Sequence, residues 1–587
     1  MSADEQLLVQ AGRDLAAGRV AAAESAALAV LTRQPRNPKA MDFLAGVALA
    51  RGRLDEGVQW LQKAVALDPH RWELHYNLGL IHATAGRNGQ AIAAYEQALR
   101  LRPQTTQAHN NLGNIFQAQG RLSEAAHHFE AALRQDPKYF PTHNNYGLVL
   151  LAQGKIDEAL VSLRKALALE PRYYQVHSNI LLSTNSHEAF SREAQLQEHQ
   201  RYGLQQADVF GAARPPLRQR PAGDRLRIGY LSADFRSHSV AFFLARVLES
   251  HDRSRFSITC YANVTRPDAM TQRMRGRVDQ WRDIVRLSDD QVAHLIRQDG
   301  IDVLVELGGH TDQNRLLVLA RRAAPVQVSY LGYPNTTGMS QVDYLITDSH
   351  IAPEGADRYY VEKLARVSGS FFCYFGPDLG IPIAPPPVVS KGFVTFGVLT
   401  NWVKVRPMMM ERWAEILRRI PNSRLILKAN SLRDMELARA TKEFFIHQGI
   451  DGERIETQGW VEFLAYMELM SQIDIGLDTF PFNGHTTTCH QLWMGVPVVT
   501  LVGQTHSSRM GLSVMQGIGL PELVAESPEQ YVETAVALAG DVQRLQDLRA
   551  TMRDRWNSSG LLDGKRMATE LERIYGQIWK SAAESSR

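Results

Sequence analysis

The α/β part of the fold is decided by the stretch Asp478-Thr-Phe-Pro-Phe-Asn-Gly-His-Thr-Thr-Thr-Cys-His-Gln-Leu-Trp-Met-Gly-Val-Pro-Val-Val-Thr-Leu-Val502. It predicts a strand, a turn at Asn483 and Gly484, a helix that Gly495 ends, and a second strand. A helix that opens on Gly-His-Thr-Thr can bind an anion, because its first N–H groups have no partner in the helix and its dipole is positive there. The alternative is an ordinary capped helix without a ligand.

Around this stretch, short β-branched runs alternate with amphipathic helical segments, as at residues 225–232 and 393–399. The alternation predicts two Rossmann-like lobes with parallel sheets, at residues 224–380 and 391–587. Prolines between residues 382 and 387 separate the lobes. Because such sheets bind ligands at the carboxyl ends of their strands, we expect a cleft between the lobes.

Four basic side chains follow strands or turns that would meet at this cleft. His238 follows the first strand of the first lobe and His310 follows the third, while Lys404 follows the first strand of the second lobe. His485 stands at the helix start described above. One histidine after a strand usually has no function, but this combination indicates a shared catalytic site.

Residues 1–184 align with themselves at an offset of 34 residues, which is the period of tetratricopeptide repeats. The pattern predicts five helix–turn–helix units and a capping helix at about 173–184. Residues 185–223 do not follow the 34-residue repeat and are interpreted as a connector between the repeats and the first lobe. The recurring turn glycines and unit-closing prolines are Gly18, Gly52, Gly86, Gly120, Gly154, Pro35, Pro69, Pro103, Pro137 and Pro171.

Asparagines recur at the same offset on the first helix of successive units. Their amides carry both a donor and an acceptor, so a ladder of them can bind the backbone of an extended polypeptide in the concave groove. The alternative is that they bridge neighbouring helices and bind nothing. Histidines also recur at this offset. They do not supply the complete set of ligands that a zinc ion needs, so we predict no metal. The predicted groove residues are Asn77, Asn111, Asn145 and Asn179.

Composition narrows the class of protein. The 587 residues are 44% hydrophobic and carry a net charge of +3, which favours neither nucleic acid nor an anionic membrane as a partner. Three scattered cysteines exclude a disulfide framework. Because the N-terminus is acidic and no run approaches ~18 apolar residues, we expect a cytoplasmic protein without a membrane span. The sequence is compatible with a homo-oligomer.

Several features occur together: tetratricopeptide units, Ser-His at 237–238, Gly-Gly-His-Thr at 308–311, Lys404, and Asn-Gly-His-Thr-Thr at 483–487. In this combination they resemble the protein O-GlcNAc transferase family, which includes the SPINDLY-like O-fucosyltransferases. The resemblance covers nearly the whole chain. It implies an α-solenoid of tetratricopeptide repeats followed by a GT-B fold with two Rossmann-like lobes.

The resemblance also implies an inverting, metal-independent transfer of a sugar from a nucleoside diphosphate to a serine or threonine. Lys404 matches the family lysine that stabilises the departing diphosphate, and Asn401 matches a nucleotide contact. A cation is suited to that place because the leaving diphosphate gains charge. The implied phosphate-binding helix start comprises Asn483, Gly484, His485, Thr486 and Thr487.

His238 matches a histidine near the reacting sugar that is suited by its pKa to act as a general base. His310 resembles a second cleft histidine. Tyr333 and Pro334 resemble the turn that lines the sugar pocket. Each of these roles is an implication of the resemblance.

Two departures bear on the donor. His490 stands where relatives carry an acidic residue that holds the ribose hydroxyls. Phe463 and Tyr466 stand where relatives supply lysine and histidine contacts to the nucleotide. UDP-GlcNAc is the expected donor, with another UDP-hexose or GDP-fucose as alternatives.

The expected partners are this donor and an acceptor polypeptide in the repeat groove, with no cofactor. A scaffold that senses a sugar nucleotide without turnover is the alternative from another class. A sugar-nucleotide epimerase would share the two lobes but would not need a repeat array.

Overall fold

The computed structural model describes residues 2–221, 223–377 and 379–585, which form two compact units, Met1–Val149 and Leu150–Arg587. The first unit consists of antiparallel helix pairs. Its helices, the last of which continues into the second unit, are α1 (Ala3–Ala16), α2 (Val20–Arg33), α3 (Pro38–Ala50), α4 (Leu54–Leu67), α5 (Trp72–Thr84), α6 (Asn88–Leu101), α7 (Thr106–Ala118), α8 (Leu122–Gln135) and α9 (Phe140–Ala152).

The repeat pattern has two physical causes in this unit. The turn glycines adopt the left-handed conformation, with φ of 71° at both Gly52 and Gly86, which side chains disfavour. In the first helices, a Cβ on Gly79 would lie 2.7 Å from the Tyr95 ring, and a Cβ on Gly113 would lie 2.5 Å from the Phe129 ring. Glycine therefore lets the paired helices approach closely, and the predicted tetratricopeptide array is confirmed.

The predicted groove asparagines in this unit bond to neighbouring helices. Asn77 donates to Asp42 at 2.7 Å, and Asn111 donates to the hydroxyls of Tyr76 and Tyr95. Asn145 donates to Asn114 at 2.9 Å. These bonds mostly join the first helices of successive repeats, in line with the alternative that the asparagines bridge neighbouring helices, so binding of a polypeptide there stays a prediction.

The second unit begins with three helices and continues as two parallel sheets. Asn179 lies in the second of these helices, and Ser191 caps the third through a hydrogen bond to the Ala194 amide. The compact unit thus starts at Leu150, earlier than the boundary at 184 that the repeat pattern suggests. The helices are α10 (Ile156–Leu169), α11 (Tyr174–Thr184) and α12 (Arg192–Tyr202).

The first lobe is a seven-stranded parallel sheet of order β3-β2-β1-β4-β5-β6-β7. Helices of mixed length cover both faces. Its elements are β1 (Leu226–Ser232), α13 (Ala241–Ser250), β2 (Phe256–Ala262), α14 (Ala269–Arg275), β3 (Gln280–Asp283), α15 (Asp289–Gln298), β4 (Val303–Glu306), α16 (Leu316–Ala320), β5 (Val326–Tyr330), β6 (Tyr344–Thr347) and β7 (Lys363–Arg366).

The second lobe is a six-stranded parallel sheet of order β10-β9-β8-β11-β12-β13. The predicted pair of Rossmann-like lobes is therefore confirmed. Its elements are α17 (Val388–Lys391), β8 (Thr395–Leu399), α18 (Pro407–Arg419), β9 (Arg424–Lys428), α19 (Met435–His447), β10 (Ile455–Gln458), α20 (Phe463–Leu469), β11 (Ile475–Leu477), α21 (Thr486–Trp493), β12 (Val498–Leu501), α22 (Met510–Gly517), β13 (Val524–Ala525), α23 (Pro528–Ala539) and α24 (Val542–Ser558).

The last helix, α25 (Gly564–Ser585), returns to the first lobe. Its Tyr575 hydroxyl lies 3.0 Å from that of Tyr230 in β1, and Glu572 lies 2.9 Å from the His251 ring after α13. Residues 564–585 therefore cover the first sheet, although the sequence pattern assigns them to the second lobe. In the described part of the chain, every helix is too short or too polar to cross a membrane.

Candidate active site

Two adjoining cavities open where the carboxyl ends of the two sheets face each other. The inner cavity has a volume of about 260 Å³ and the outer one about 890 Å³. The six residues that line both are His238, Ser239, Thr400, Asn401, Thr486 and Thr487. The structure thus brings His238, Lys404 and His485 to the walls of the inner cavity, as the strand-end pattern predicts.

Lys404 supplies a cation to the inner cavity. It follows β8 in a short 3-10 turn, and its Nζ donates to the Asn483 carbonyl at 3.0 Å and lies 3.6 Å from the Phe482 ring centre. Burial lowers the pKa of its ammonium to about 8, although Asp478 opposes that shift. A buried ammonium that contacts no carboxylate among the described residues can bind an anion, because an incoming negative charge would offset its desolvation.

The start of α21 faces the same cavity. Asp478, at the end of β11, accepts hydrogen bonds from the amides of Thr479 and Gly484 and from the Thr500 hydroxyl. These bonds fix the turn, and the amides of Thr486 and Thr487 have no acceptor among the described residues. The turn cannot carry a side chain at Gly484, since a Cβ there would lie 2.3 Å from Thr488 Oγ1. Free helix N–H groups beside a lysine are an arrangement that can bind phosphate.

Gly484 and Asn483 serve this site differently from the prediction. The Gly484 amide is already used by Asp478. The Asn483 amide group is fully buried and donates to the carbonyls of Thr479 and Leu501. We expected both residues to contact the nucleotide directly. In the structure, Gly484 instead contributes to the turn, and the Asn483 carbonyl accepts a hydrogen bond from Lys404.

Within the described residues, the His485 side chain contributes packing contacts in place of side-chain hydrogen bonds. Its ring stacks on Phe243 of the first lobe with centres 4.2 Å apart, and Nε2 is buried with no hydrogen-bond partner in the described part of the chain. Burial and the nearby Lys404 lower the pKa of His485 to about 3. The ring is therefore neutral, and the positive charge of the inner cavity comes from Lys404 and the helix.

His238 lies across the cavity on the loop after β1. Its Nδ1 is 3.3 Å from Oδ1 of Asp234, and its side chain is 34% exposed. Burial lowers the pKa of His238, while Asp234 acts to raise it. The Val240 backbone N–H also donates to this Nδ1 at 3.3 Å, so the amide and the carboxylate favour opposite ring tautomers. In the tautomer with its proton on Nδ1, Nε2 can accept another proton, which is the arrangement that a general base requires.

The turn after β5 and Asn401 complete the inner cavity. Leu331, Gly332 and Pro334 line it, whereas the Tyr333 ring turns inward and is 5% exposed. Asn401 is exposed at the junction of the two cavities. Pro334 and Asn401 therefore line the cavity, and their contact with a donor stays a prediction, but Tyr333 does not line the cavity with its side chain.

His310 is not brought to the cleft. Its ring is 1% exposed, Nε2 donates to the Thr337 carbonyl at 2.8 Å, and Nδ1 accepts from the Ser178 hydroxyl of α11 at 3.0 Å. Both nitrogens are thus occupied, and burial holds the pKa of His310 well below its usual value. The structure does not support the expected catalytic role for His310, because the ring has neither access to the cavity nor a free nitrogen.

His490 lies in the wall of the outer cavity, among aromatic rings. It is 4% exposed, and neither ring nitrogen has a partner in the described chain. The ring meets Phe242 of the first lobe edge-on at 5.0 Å, and burial lowers its pKa to about 3. A neutral imidazole offers one donor and one acceptor, so it suits a hydroxyl or amide group of a ligand rather than a charged one.

Two residues of the outer cavity escaped the sequence analysis. Lys428 ends β9, so the strand-end pattern that indicated Lys404 could also have indicated it. Its Nζ lies 5.1 Å from the Tyr466 ring centre, and burial lowers its pKa. Trp460 is 55% exposed at the rim, where the sequence has no periodic signal.

Comparisons with known proteins agree with this architecture. A family model described as glycosyl transferase family 41 matches residues 170–376 and 389–571, and tetratricopeptide models match residues 8–71, 76–140 and 128–161. The solved structure of a mutant O-GlcNAc transferase of Thermobaculum terrenum is 34% identical, with a TM-score of 0.81, and the match covers 88% of this chain and 99% of that one.

Among curated relatives, the tomato (Solanum lycopersicum) protein named "Probable UDP-N-acetylglucosamine--peptide N-acetylglucosaminyltransferase SPINDLY" is 40% identical over 60% of this chain and 39% of its own length. The Arabidopsis thaliana protein of the same printed activity, named SEC, is 31% identical over 62% of this chain and 38% of its own length. The chain thus spans about two fifths of these relatives. Since the family model matches well over half of its residues, the chain belongs to glycosyl transferase family 41.

Proposed function

We propose that this protein transfers a sugar from a nucleoside diphosphate to a serine or threonine hydroxyl of an acceptor polypeptide, with inversion at the anomeric carbon and without a metal or other cofactor. The observation that carries the proposal is the inner cavity, where Lys404 and the start of α21 face His238. One wall supplies positive charge, and the other supplies a group that can take up a proton.

The charge in this cavity suits the leaving group. As the bond from the sugar to the diphosphate breaks, negative charge develops on the diphosphate oxygens. The Lys404 ammonium and the free amides of Thr486 and Thr487 would accept that charge with no rearrangement, which is the usual source of electrostatic catalysis. We propose that these groups act where many transferases use a divalent cation.

His238 suits the nucleophile. In an inverting reaction the acceptor hydroxyl attacks from the side opposite the diphosphate and gives up its proton as the new bond forms. His238, with Asp234 beside Nδ1, would take that proton on Nε2. The proton thus moves from the acceptor to His238 while the electron pair of the broken bond leaves with the diphosphate.

For the donor we propose UDP-GlcNAc, which the names of the curated relatives support. Another UDP-hexose and GDP-fucose remain the alternatives, because His490 replaces the acidic residue expected at the ribose. For the acceptor, the tetratricopeptide repeats of the first unit support a polypeptide, which we propose binds along the groove of Asn77, Asn111, Asn145 and Asn179.

The proposal is tested by incubating the purified protein with UDP-GlcNAc, UDP-glucose or GDP-fucose. We expect release of UDP from UDP-GlcNAc, and a mass increase of one N-acetylhexosamine on the protein itself or on an added Ser/Thr-rich peptide. The matched control is Lys404→Met, which should release none. Donor binding without release from any donor would favour the sugar-nucleotide sensor, and turnover of GDP-fucose alone would overturn the choice of UDP-GlcNAc.

Affinity for UDP should depend on pH in one direction. Burial lowers the pKa of Lys404 to about 8, and a bound diphosphate would stabilise the ammonium and raise that pKa. Affinity should therefore be level from about pH 7 to 7.5 and fall, by up to about tenfold per pH unit, as the pH rises through 8. Calorimetry at pH 9 should show proton uptake on binding, and Lys404→Met should abolish both effects. A level affinity between pH 7 and 9.5 in the unsubstituted protein would contradict this expectation.

A further inference from the structure

Asn185, the residue that follows α11, forms hydrogen bonds with elements of both lobes. We propose that Asn185 is a positioning residue that fixes the cavity turn at residues 331–334 of the first lobe relative to the loop of the second lobe that holds Lys404. The proposal rests on the proposed function, since it concerns the geometry of that reaction. It makes the segment between the repeat pattern and the first sheet a working part of the active site.

One arm of this connection reaches the first lobe. The Asn185 amide donates to the Tyr333 hydroxyl at 3.2 Å, and that hydroxyl lies 2.7 Å from Nε2 of His199 in α12. Nδ1 of His199 is 2.6 Å from the Gln195 carbonyl, so it carries the ring proton and Nε2 accepts from the tyrosine. The Asn185 side-chain oxygen also accepts from Asn335 at 2.8 Å. Tyr333 and Asn335, both at the C-terminal end of the turn, are thereby attached to Asn185 and to α12.

The turn itself needs such support. Leu331 has a φ of 80°, a conformation that side chains rarely adopt, and it lines the inner cavity. A Cβ on Gly332 would lie 2.0 Å from the Leu307 carbonyl oxygen, so the backbone passes close against β4. A strained turn keeps its shape only when the surrounding contacts hold it, and the Tyr333 hydroxyl is one such contact.

The other arm reaches Lys404. The main-chain carbonyl of Asn185 accepts from the Ser507 hydroxyl at 3.1 Å. The main-chain carbonyl of Ser507 in turn accepts from the backbone N–H of Asn483 at 3.1 Å. The Asn483 carbonyl in turn accepts from Lys404 Nζ at 3.0 Å. A continuous series of hydrogen bonds thus runs from the sugar side of the inner cavity to the cation on its diphosphate side.

Burial makes the series effective. Asn185, Ser507 and Asn483 are each 0% exposed. Water cannot replace a bond that is lost at these positions, so cutting one link leaves unpaired polar groups that move to find new partners. The loss of any one of these hydrogen bonds should therefore disturb both the turn at residues 331–334 and the position of Lys404.

The test compares Tyr333→Phe, which cuts the first arm, with Ser507→Ala, which cuts the second. Each should lower kcat about tenfold, the effect of losing one buried hydrogen bond, while the Kd for UDP changes less than about threefold. Because both arms act through Asn185, the double variant should fall within about threefold of the weaker single variant rather than show the product of the losses. Asn185→Ala removes the side-chain bonds of the first arm and keeps the main-chain carbonyl of the second, so it should resemble Tyr333→Phe.

The matched control is Gln206→Ala. Gln206 is likewise buried and donates to the Pro171 carbonyl at 2.7 Å, but it makes no bond to either arm. It should lower the Tm without lowering kcat. Tyr333→Phe keeps the ring packing, so it stays informative if Asn185→Ala does not fold.

Losses that multiply in the double variant, or variants that lower only the Tm, would overturn the role of Asn185 while leaving the proposed function intact. Failure of the unsubstituted protein to turn over any donor would overturn both, and is recognised separately because it needs no variant.

Discussion

Lys404→Met is expected to lower kcat for sugar transfer at least about 10²-fold while leaving the fold intact. The leaving diphosphate gains charge in the transition state, and the loss of one such electrostatic partner costs about this much. Methionine fills nearly the same volume without a charge. Among the described residues, the Lys404 ammonium makes one hydrogen bond, to the Asn483 carbonyl, which the substitution removes together with the charge.

Lys404→Met should not destabilise the fold, although it lowers activity. Burial disfavours the charge of Lys404, and its pKa is lowered accordingly. Removing a desolvated ammonium should therefore leave the Tm unchanged or raise it. A fall in kcat with no fall in Tm separates a catalytic loss from unfolding.

The matched control is Lys428→Met, which removes the other lysine of the cavities. Because Lys428 lies in the outer cavity, it should weaken nucleotide binding and lower kcat less than about tenfold. A Lys404→Met protein that retained more than about a tenth of the original rate would contradict the leaving-group role.

His238→Ala is expected to lower kcat by about 10²- to 10⁴-fold, the range for loss of a general base, with little change in the Kd for UDP. The reason is that His238 lies opposite the groups that would bind the diphosphate. His294→Ala is a suitable control, because His294 is exposed on α15 of the same lobe. Equal losses in kcat and in affinity would make His238 a binding residue instead.

The pH profile provides a second measurement. A base works only when unprotonated, so activity should fall as the pH drops through the pKa of His238, which burial places below its ordinary value. Asp234 opposes that shift by stabilising the imidazolium. Asp234→Asn should therefore move the acid limb of kcat/KM to lower pH, whereas a limb that stayed in place would show that His238 does not cause it.

The sequence predicts the repeats and the central strands of the lobes because their signals are local. Turn glycines such as Gly52 recur at a fixed period, and buried strands such as β1 are continuous apolar runs. The three strands that sequence analysis missed, β3, β7 and β13, each lie at the edge of a sheet. An edge strand such as β3 is polar and largely exposed, so it is defined by its pairing rather than by its composition.

The same distinction applies to the active site. The topology of parallel sheets alone brings His238 and Lys404 together, so a sequence pattern can find them. His310 obeys the same pattern, yet Ser178 covers it from 132 residues away in the chain. Which way a side chain turns after a strand depends on such distant packing, and this is why Tyr333 and Asn483 point away from the cavity that their neighbours line.

The return of α25 to the first lobe means that the backbone passes between the lobes twice, once near residues 381–390 and once between α24 and α25. Two covalent connections restrict the relative movement of two lobes more than a single connection does. We therefore expect Lys404 and His238 to keep their positions around the inner cavity more closely than a single connection would allow.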